Sequence, residues 1–211
     1  MGEADDSTGQ YFDENPSVPS RVVTYGIDGP AGSLSIDSDS GVFSHGSLDK
    51  ATAVLLERLR RTPDTFPEGD FVDVGCGAGP IAVLLAALHP HRHVWAVDTN
   101  SRAVELCRTN ARKNSLPNVT ACSPDEVPPG TVIALVCSNP PIRVGKDALH
   151  GILSEWLGRL HPHGEALLVV GKNLGADSLQ AWLGANGWPT ERLASSKGFR
   201  LFRSVVRSAA G

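Results

Sequence analysis

In Phe71-Val72-Asp73-Val74-Gly75-Cys76-Gly77-Ala78-Gly79-Pro80-Ile81-Ala82-Val83-Leu84-Leu85, a short strand signal runs through alternate glycines into an apolar segment of good helix formers. The glycines therefore sit on a strand-to-helix turn, where backbone can approach a ligand closely and a helix N-terminus points at it. The spacing Gly75-x-Gly77-x-Gly79 departs from the dinucleotide fingerprint, whose third glycine falls where Pro80 stands. Proline suits the first helical position, because the N–H it lacks would have no partner in the helix. It also removes one donor from the helix end, so a cationic or zwitterionic ligand tail fits better than a pyrophosphate.

Outward from this turn, Val94-Trp95-Ala96-Val97-Asp98 reads as a second strand ending in an acid, about twenty residues past the glycines. A carboxylate there grips ribose hydroxyls in folds of this type. Val132-Ile133-Ala134-Leu135-Val136-Cys137 is a continuous apolar run, as expected of a central parallel strand buried on both faces. Ser138-Asn139-Pro140-Pro141-Ile142 follows it. The two prolines fix the chain and offer no backbone donors. What remains is a set of acceptors, namely the Asn139 side-chain oxygen and nearby carbonyls. Such acceptors can hold both hydrogens of an exocyclic amine and direct its lone pair, a task of positioning and electrostatics that needs no strong base. Both turns follow buried strands, so both belong at one edge of one sheet.

The glycine turn with Asp98 resembles the class I S-adenosylmethionine-dependent methyltransferases. The resemblance implies an α/β fold: a Rossmann-like, mostly parallel sheet of seven strands with an antiparallel last strand and helices on both faces. It implies S-adenosylmethionine as cofactor, with Asp73, Gly75, Gly77, Gly79 and Asp98 as contacts. Thr99 and Asn100 would border the adenine, and Asp125 would stand at the adenine edge. Asn-Pro-Pro is similar to the motif of amino-methyltransferases acting on adenine, guanine or glutamine amide nitrogen. Asn139, Pro140 and Pro141 are then the catalytic turn, with Asn139 also next to the cofactor. The usual aromatic at the following position is Ile142 here, which supplies no π-face. Phe43, Tyr11 and Phe12 are the candidates to stack on the substrate in its place.

Tyr11-Phe12-x-x-Asn15-Pro16-x-Val18-Pro19-Ser20 and Gly41-Val42-Phe43-Ser44-x-x-x-Leu48-Asp49 resemble the entry to the small-domain methyltransferases related to bacterial small-subunit rRNA guanine-N2 methyltransferases, with Gln10 where a histidine is usual. This resemblance runs from about residue 10 to 206 and implies a stand-alone catalytic domain without the extra N-terminal half of the two-domain members. The segments expected are a disordered tail over 1–9, a hairpin extension covering the site over 10–48, and the catalytic domain over 49–211. Ile142, Phe43 and Arg143 would border the substrate. In the extension, Arg21–Ile27 and Ser33–Ile36 read as strands around Asp28-Gly29-Pro30. Asp49 can cap a helix through Leu59 with Ala51, Val54, Leu55 and Leu59 on one face.

Further along, Ser101–Ser115 is helical by pattern, Val119–Ala121 is a strand, Asp147–Leu160 a helix and Gly164–Val170 a strand. Leu179–Leu183 lies in another helix, and 191–196 with 199–206 forms a hairpin around Lys197-Gly198. Alternating strands and helices imply a parallel sheet with the site at the strand C-termini. No apolar run approaches a membrane span, and no basic-then-apolar leader is present, so a cytoplasmic protein without a membrane partner is expected. Cys76, Cys107, Cys122 and Cys137 lack metal spacing and read as reduced, buried thiols. Cys76 and Cys137 end strands expected to be neighbours, which leaves an oxidative contact open. His89, His91 and His93, like His161 and His163, read as closing helices ahead of strands, and no metal is expected.

The net charge of −4 argues against a broad nucleic-acid footprint. Basic residues are only locally clustered, as Arg58, Arg60 and Arg61, then Arg108, Arg112 and Lys113, then Arg143 and Lys146. The first two clusters read as solvated helix faces; Arg143 and Lys146 adjoin the Asn-Pro-Pro turn and suit a substrate phosphate. The expected function is N-methylation of guanine in small-subunit rRNA, with rRNA or the small ribosomal subunit as partner and a monomer the favoured state. Two alternatives stay open at this point: a protein glutamine amide or small-molecule amine as acceptor, and a cofactor-binding assembly factor without turnover.

Overall fold

The structure, a computed structural model, describes residues 21–40, 42, 46–140 and 144–207, the Leu174 side chain apart. Expectations resting on the 1–9 tail, Tyr11, Phe12, Gly41, Phe43, Pro141, Ile142 and Arg143 lie outside the described residues. Seven strands form one sheet: β3 (Asp70–Val74), β4 (Val94–Val97), β5 (Val119–Cys122), β6 (Ile133–Ser138), β7 (Leu160–Gly171), β8 (Thr190–Ser196) and β9 (Phe199–Val205). Their order is β5-β4-β3-β6-β7-β9-β8. The first five are parallel, while β9 runs antiparallel to both β7 and β8. Strand order reverses between β3 and β6, at whose ends the two sequence motifs lie, and such a switch point opens a crevice for ligands.

All residues of β6 are buried, as its unbroken apolar run requires. Side chains alternate between the faces. Phe71, Leu135, Leu167 and Val169 join one core with the helices α1 (Lys50–Leu59), α2 (Pro80–Leu88) and α3 (Ser101–Lys113). Val72, Val136, Leu168 and Val170 join the other with α4 (Lys146–Leu157) and α5 (Ala176–Ala185). Asp49 caps α1 by accepting the Thr52 N–H at 2.8 Å. On α1, Ala51, Leu55 and Leu59 are buried as the pattern requires; Thr52 and Leu56 are buried too.

The hairpin β1 (Val22–Gly29) and β2 (Gly32–Asp39) forms a separate two-stranded sheet, with Ile27 and Ile36 in the first core. Gly29 pairs with Gly32, so Pro30-Ala31 makes the turn, not Asp28-Gly29-Pro30. Proline with fixed φ serves a tight connection, and the strands keep Asp28 and Gly29 in the ladder. At its edge β2 meets α3. Asn114 Nδ2 donates to Ser35 O and its Oδ1 accepts the Ser35 N–H; Asn110 makes the same pair with Asp37, all at 2.8–2.9 Å. Two carboxamides thus stand in for a neighbouring strand.

Two boundaries differ from the sequence reading. Helix α4 ends at Leu157 and β7 starts at Leu160, earlier than Gly164. Leu153, Leu157 and Leu160 keep apolar helical spacing, but Leu160 pairs with Ile133 at a register shift. His161 and His163 consequently lie inside β7 instead of closing a helix. At the other end, the β8–β9 turn is Lys197-Gly198 as expected, with φ of 51° and 84°, the positive values that a two-residue hairpin turn of matching twist demands. No helix among the described residues is long and apolar enough to cross a membrane, and no cluster of His, Cys, Asp or Glu among them could hold a metal ion.

Candidate active site

The glycine turn is pinned by backbone. Gly75 and Cys76 donate to Val97 O at 2.8 and 3.0 Å, tying the end of β3 to the end of β4. Gly77 N–H donates to Asp98 Oδ2 at 2.9 Å, and Asp98 Oδ1 accepts the Asn100 N–H at 2.9 Å. Burial raises the Asp98 pKa above the usual carboxylate range, and those backbone donors oppose the rise. The acid is held by the backbone N–H groups of Gly77, Thr99 and Asn100, which leaves acceptor capacity for a hydroxyl donor.

Gly77 and Gly79 are glycine for different reasons. Among the described residues a Cβ on Gly77 would meet only Val42 Cγ1, at 3.9 Å, and the φ of 54° still favours glycine. A Cβ on Gly79 would come within 2.3 Å of Cys107 Sγ, so this glycine lets α2 begin against α3. The carbonyl between them, Ala78 O, accepts from Asn110 Nδ2 at 2.8 Å. Asn110, fully buried, thereby joins the turn to the β2 edge.

Asp73 is fully buried beneath the turn. Its Oδ2 accepts the Ala82 N–H at 3.0 Å in the first turn of α2, and burial pushes its pKa to about 8. Its hydrogen bond among the described residues therefore goes to the helix. Thr99 and Asp125 are both exposed, Asp125 in the 3-10 turn Pro124–Glu126 that follows β5. The Ser123 hydroxyl beside Asp125 lowers the pKa of that carboxyl.

At the end of β6, Ser138 Oγ donates to Val74 O at 2.7 Å and locks β6 to β3 just before the second turn. Asn139 then turns its carboxamide nitrogen to Asp49 Oδ2 at 2.9 Å and Thr52 Oγ1 at 3.1 Å. A carboxylate only accepts, so the atom facing Asp49 has to be nitrogen. Gly75, Gly77 and Asn139 line one cleft together with Tyr25, Asp49 and Thr52, with roughly 390 Å³ of empty space counting the part open to solvent. Burial, with the Asp49 carboxylate nearby, raises the Tyr25 pKa to about 12 and keeps the phenol neutral.

The cleft thus unites Gly75, Gly77 and Asn139 from the two motifs. Asp73, Gly79, Asp98, Thr99, Asp125 and the buried Pro140 stand outside its lining. Tyr25 and Thr52 carry no sequence signal as site residues. Asp49 carries two, as a helix cap and as the end of the Gly41–Asp49 segment that the family resemblance sets over the cofactor.

Cys76 lines the cleft as well, and the other three cysteines stand outside its lining. All four cysteines are free and buried. Cys76 Sγ donates to Gly77 O at 3.7 Å, and the neighbouring Cys107 thiol together with burial raises its pKa. Two of the basic clusters are largely paired with acids: Arg60 and Arg61 with Glu57, Arg108 and Arg112 with Glu105, and Lys113 with Asp37.

Residues 33–203 match the family model "Methyltransferase small domain". The Bacillus subtilis protein YbxB is 36% identical over 171 residues, covering 80% of this chain and 84% of that protein. Ribosomal RNA small subunit methyltransferase C of Ectopseudomonas mendocina is 33% identical over 193 residues, covering 89% of this chain and 56% of the relative. The chain spans about half the length of the rRNA methyltransferases it matches. Among solved structures, the T. thermophilus 16S rRNA N2 G1207 methyltransferase in complex with AdoMet and guanosine superposes with a TM-score of 0.77 at 22% identity, covering 91% of this chain and 52% of that one. That structural likeness shows the shared fold.

Proposed function

The chain belongs to the methyltransferase small-domain family of S-adenosylmethionine-dependent enzymes, and from that footing we propose that it methylates the exocyclic amine of a guanine in small-subunit rRNA. The observation that carries the reading is the Asn139 carboxamide. Both Nδ2 hydrogens are taken by Asp49 and Thr52, so Oδ1 is the atom left to accept, in the cleft that the glycine turn also lines.

The residues present fit the cofactor. Gly75 and Gly77 line the cleft with backbone, and among the described residues Gly77 has space where a side chain would stand. Asp98 accepts ribose hydroxyls with the lone pairs its backbone donors leave, and Thr99 and Asp125 border the adenine. S-adenosylmethionine, when bound, supplies an electrophilic sulfonium methyl group. The chain's own residues then orient the amine. Asn139 Oδ1 and the Pro140 carbonyl accept its two hydrogens, which turns the nitrogen lone pair outward. Positioning of this kind is worth several kcal/mol, and the amine's proton can pass to solvent after transfer without a strong base. The 33% identity to the rRNA methyltransferase supports the acceptor class.

The net charge of −4 and the paired basic clusters favour, as a second reading, a protein glutamine amide or small-molecule amine. One experiment separates the two. Methyl label from S-adenosylmethionine is offered to small-subunit particles, stripped rRNA, protein and small-molecule fractions, followed by nucleoside analysis. Label in N2-methylguanosine is the expected result. Label only in protein or small molecules overturns the guanine reading.

A further inference from the structure

Asp49 performs two tasks with one oxygen. Its Oδ2 accepts the Thr52 N–H at 2.8 Å, which caps α1, and the Asn139 Nδ2 hydrogen at 2.9 Å. Thr52 Oγ1, on a residue only 5% exposed, accepts from the same Nδ2 at 3.1 Å. The cap fixes Asp49, and Asp49 fixes Asn139. A carboxamide can flip about its last bond and exchange an acceptor for a donor in the same place. Flipping Asn139 would set its oxygen against a carboxylate, so Oδ1 stays on the cleft side. Among the described residues nothing is hydrogen-bonded to Oδ1.

We propose that Asp49, with Thr52, is a positioning residue for methyl transfer: it holds the Asn139 carboxamide in the one orientation that offers Oδ1 to the acceptor amine, and its charge polarises that oxygen. The inference rests on the amine-methylating reading above. The polarisation follows from the chain of contacts. A hydrogen bond from Nδ2 to a carboxylate draws the amide dipole toward the form with more negative charge on oxygen. As the amine nitrogen gives its pair to the methyl carbon it gains positive charge, and its N–H groups become stronger donors. A more negative Oδ1 therefore binds the transition state better than the ground state, which raises kcat and leaves KM little changed. No proton moves to Asp49.

Two substitutions separate this role from helix capping. Serine is as good an N-cap as aspartate, so Asp49→Ser keeps α1 while its shorter side chain withdraws from Asn139. Asp49→Asn keeps a side-chain oxygen at the same length and removes the charge. The first readout needs no acceptor: hydrogen exchange of the Asn139 side-chain amide, assigned by its absence from the spectrum of Asn139→Asp. Asp49→Ser is expected to speed that exchange by about tenfold or more, because one hydrogen loses its acceptor and the carboxamide is then held by Thr52 Oγ1 alone. The second readout is kcat at saturation. Asp49→Ser should lower it by about 10- to 100-fold, and Asp49→Asn by a few-fold, with KM, cofactor Kd and melting temperature near wild type. Unchanged amide exchange, or exchange that quickens while kcat holds, overturns the proposal. A wild type that labels no guanine refutes the proposed acceptor instead. The kcat comparison then moves to whichever amine is labelled, and the amide exchange still decides the clamp.

Discussion

The cleft wall at Gly75–Gly77 is backbone from one continuous segment, whereas the wall at Asn139 is side chain drawn from two segments 90 residues apart. The backbone wall owes its shape to φ angles and to N–H groups pinned on Val97 and Asp98. The side-chain wall owes its shape to a helix cap that reaches across to another strand's end. Backbone walls tolerate most changes that keep glycine, but side-chain walls are lost by removing single atoms. Binding the part of a ligand common to many enzymes suits the first kind, and selecting the reacting group suits the second.

The contrast can be broken most sharply at Asn139. Asn139→Ala should lower kcat by about 10²–10³-fold, the cost of losing one preorganised polar group at the reacting atoms, while cofactor affinity measured by calorimetry stays within a few-fold. Persistent turnover would mean that the side-chain wall does not act on the amine. Asp98→Ala should do the reverse. Cofactor Kd is expected to rise by an amount on the order of 1–3 kcal/mol for the lost charge-assisted bonds, with single-turnover kcat changed far less. Unaltered affinity would move the ribose site elsewhere.

Asn110→Ala tests whether the backbone wall is independent of the hairpin. It strips partners from Ala78 O and from both backbone groups of Asp37. A loss of about 1–3 kcal/mol is expected, seen as a lower melting temperature, with weaker cofactor binding in proportion to the loosened turn. A lower melting temperature with unchanged binding would show that the turn keeps its shape alone. The smallest effect belongs to Gly77→Ala. Its Cβ has room but its φ is positive, so about 1 kcal/mol of denaturant stability should be lost. A loss well above that would show that the space is not open.

The same division explains what could be read from sequence. The strand-turn-helix of β3 and α2, the central run of β6 and the Lys197-Gly198 turn are local patterns, in which neighbouring residues state their own geometry. The end of α4 differs from its sequence pattern because Leu160 satisfies the helical spacing of Leu153 and Leu157, and only its pairing with Ile133 makes it strand. In the site, Gly75, Gly77 and Asn139 announce themselves by motif. Tyr25 and Thr52 do not, because a strand tyrosine and a helix threonine look alike whether they face core or cleft. Asp49 was legible as a cap, but its bond to Asn139 depends on how α1 packs beside β6.

The paired asparagines, Asn110 on α3 and Asn114 at its C-cap, have a metrical consequence. From Asn110 to Asn114 a helix advances about 6 Å, and from Ser35 to Asp37 an antiparallel strand advances about 6.8 Å. The two pitches agree closely enough for one repeat and drift apart beyond it, so the contact works as a vernier with a single coincidence. Sliding the hairpin by one residue would turn Ile36 outward, and sliding it by two would leave one carboxamide facing past the paired groups. The hairpin is therefore indexed to the body of the protein at one setting, and the same Asn110 that reads the index also holds Ala78.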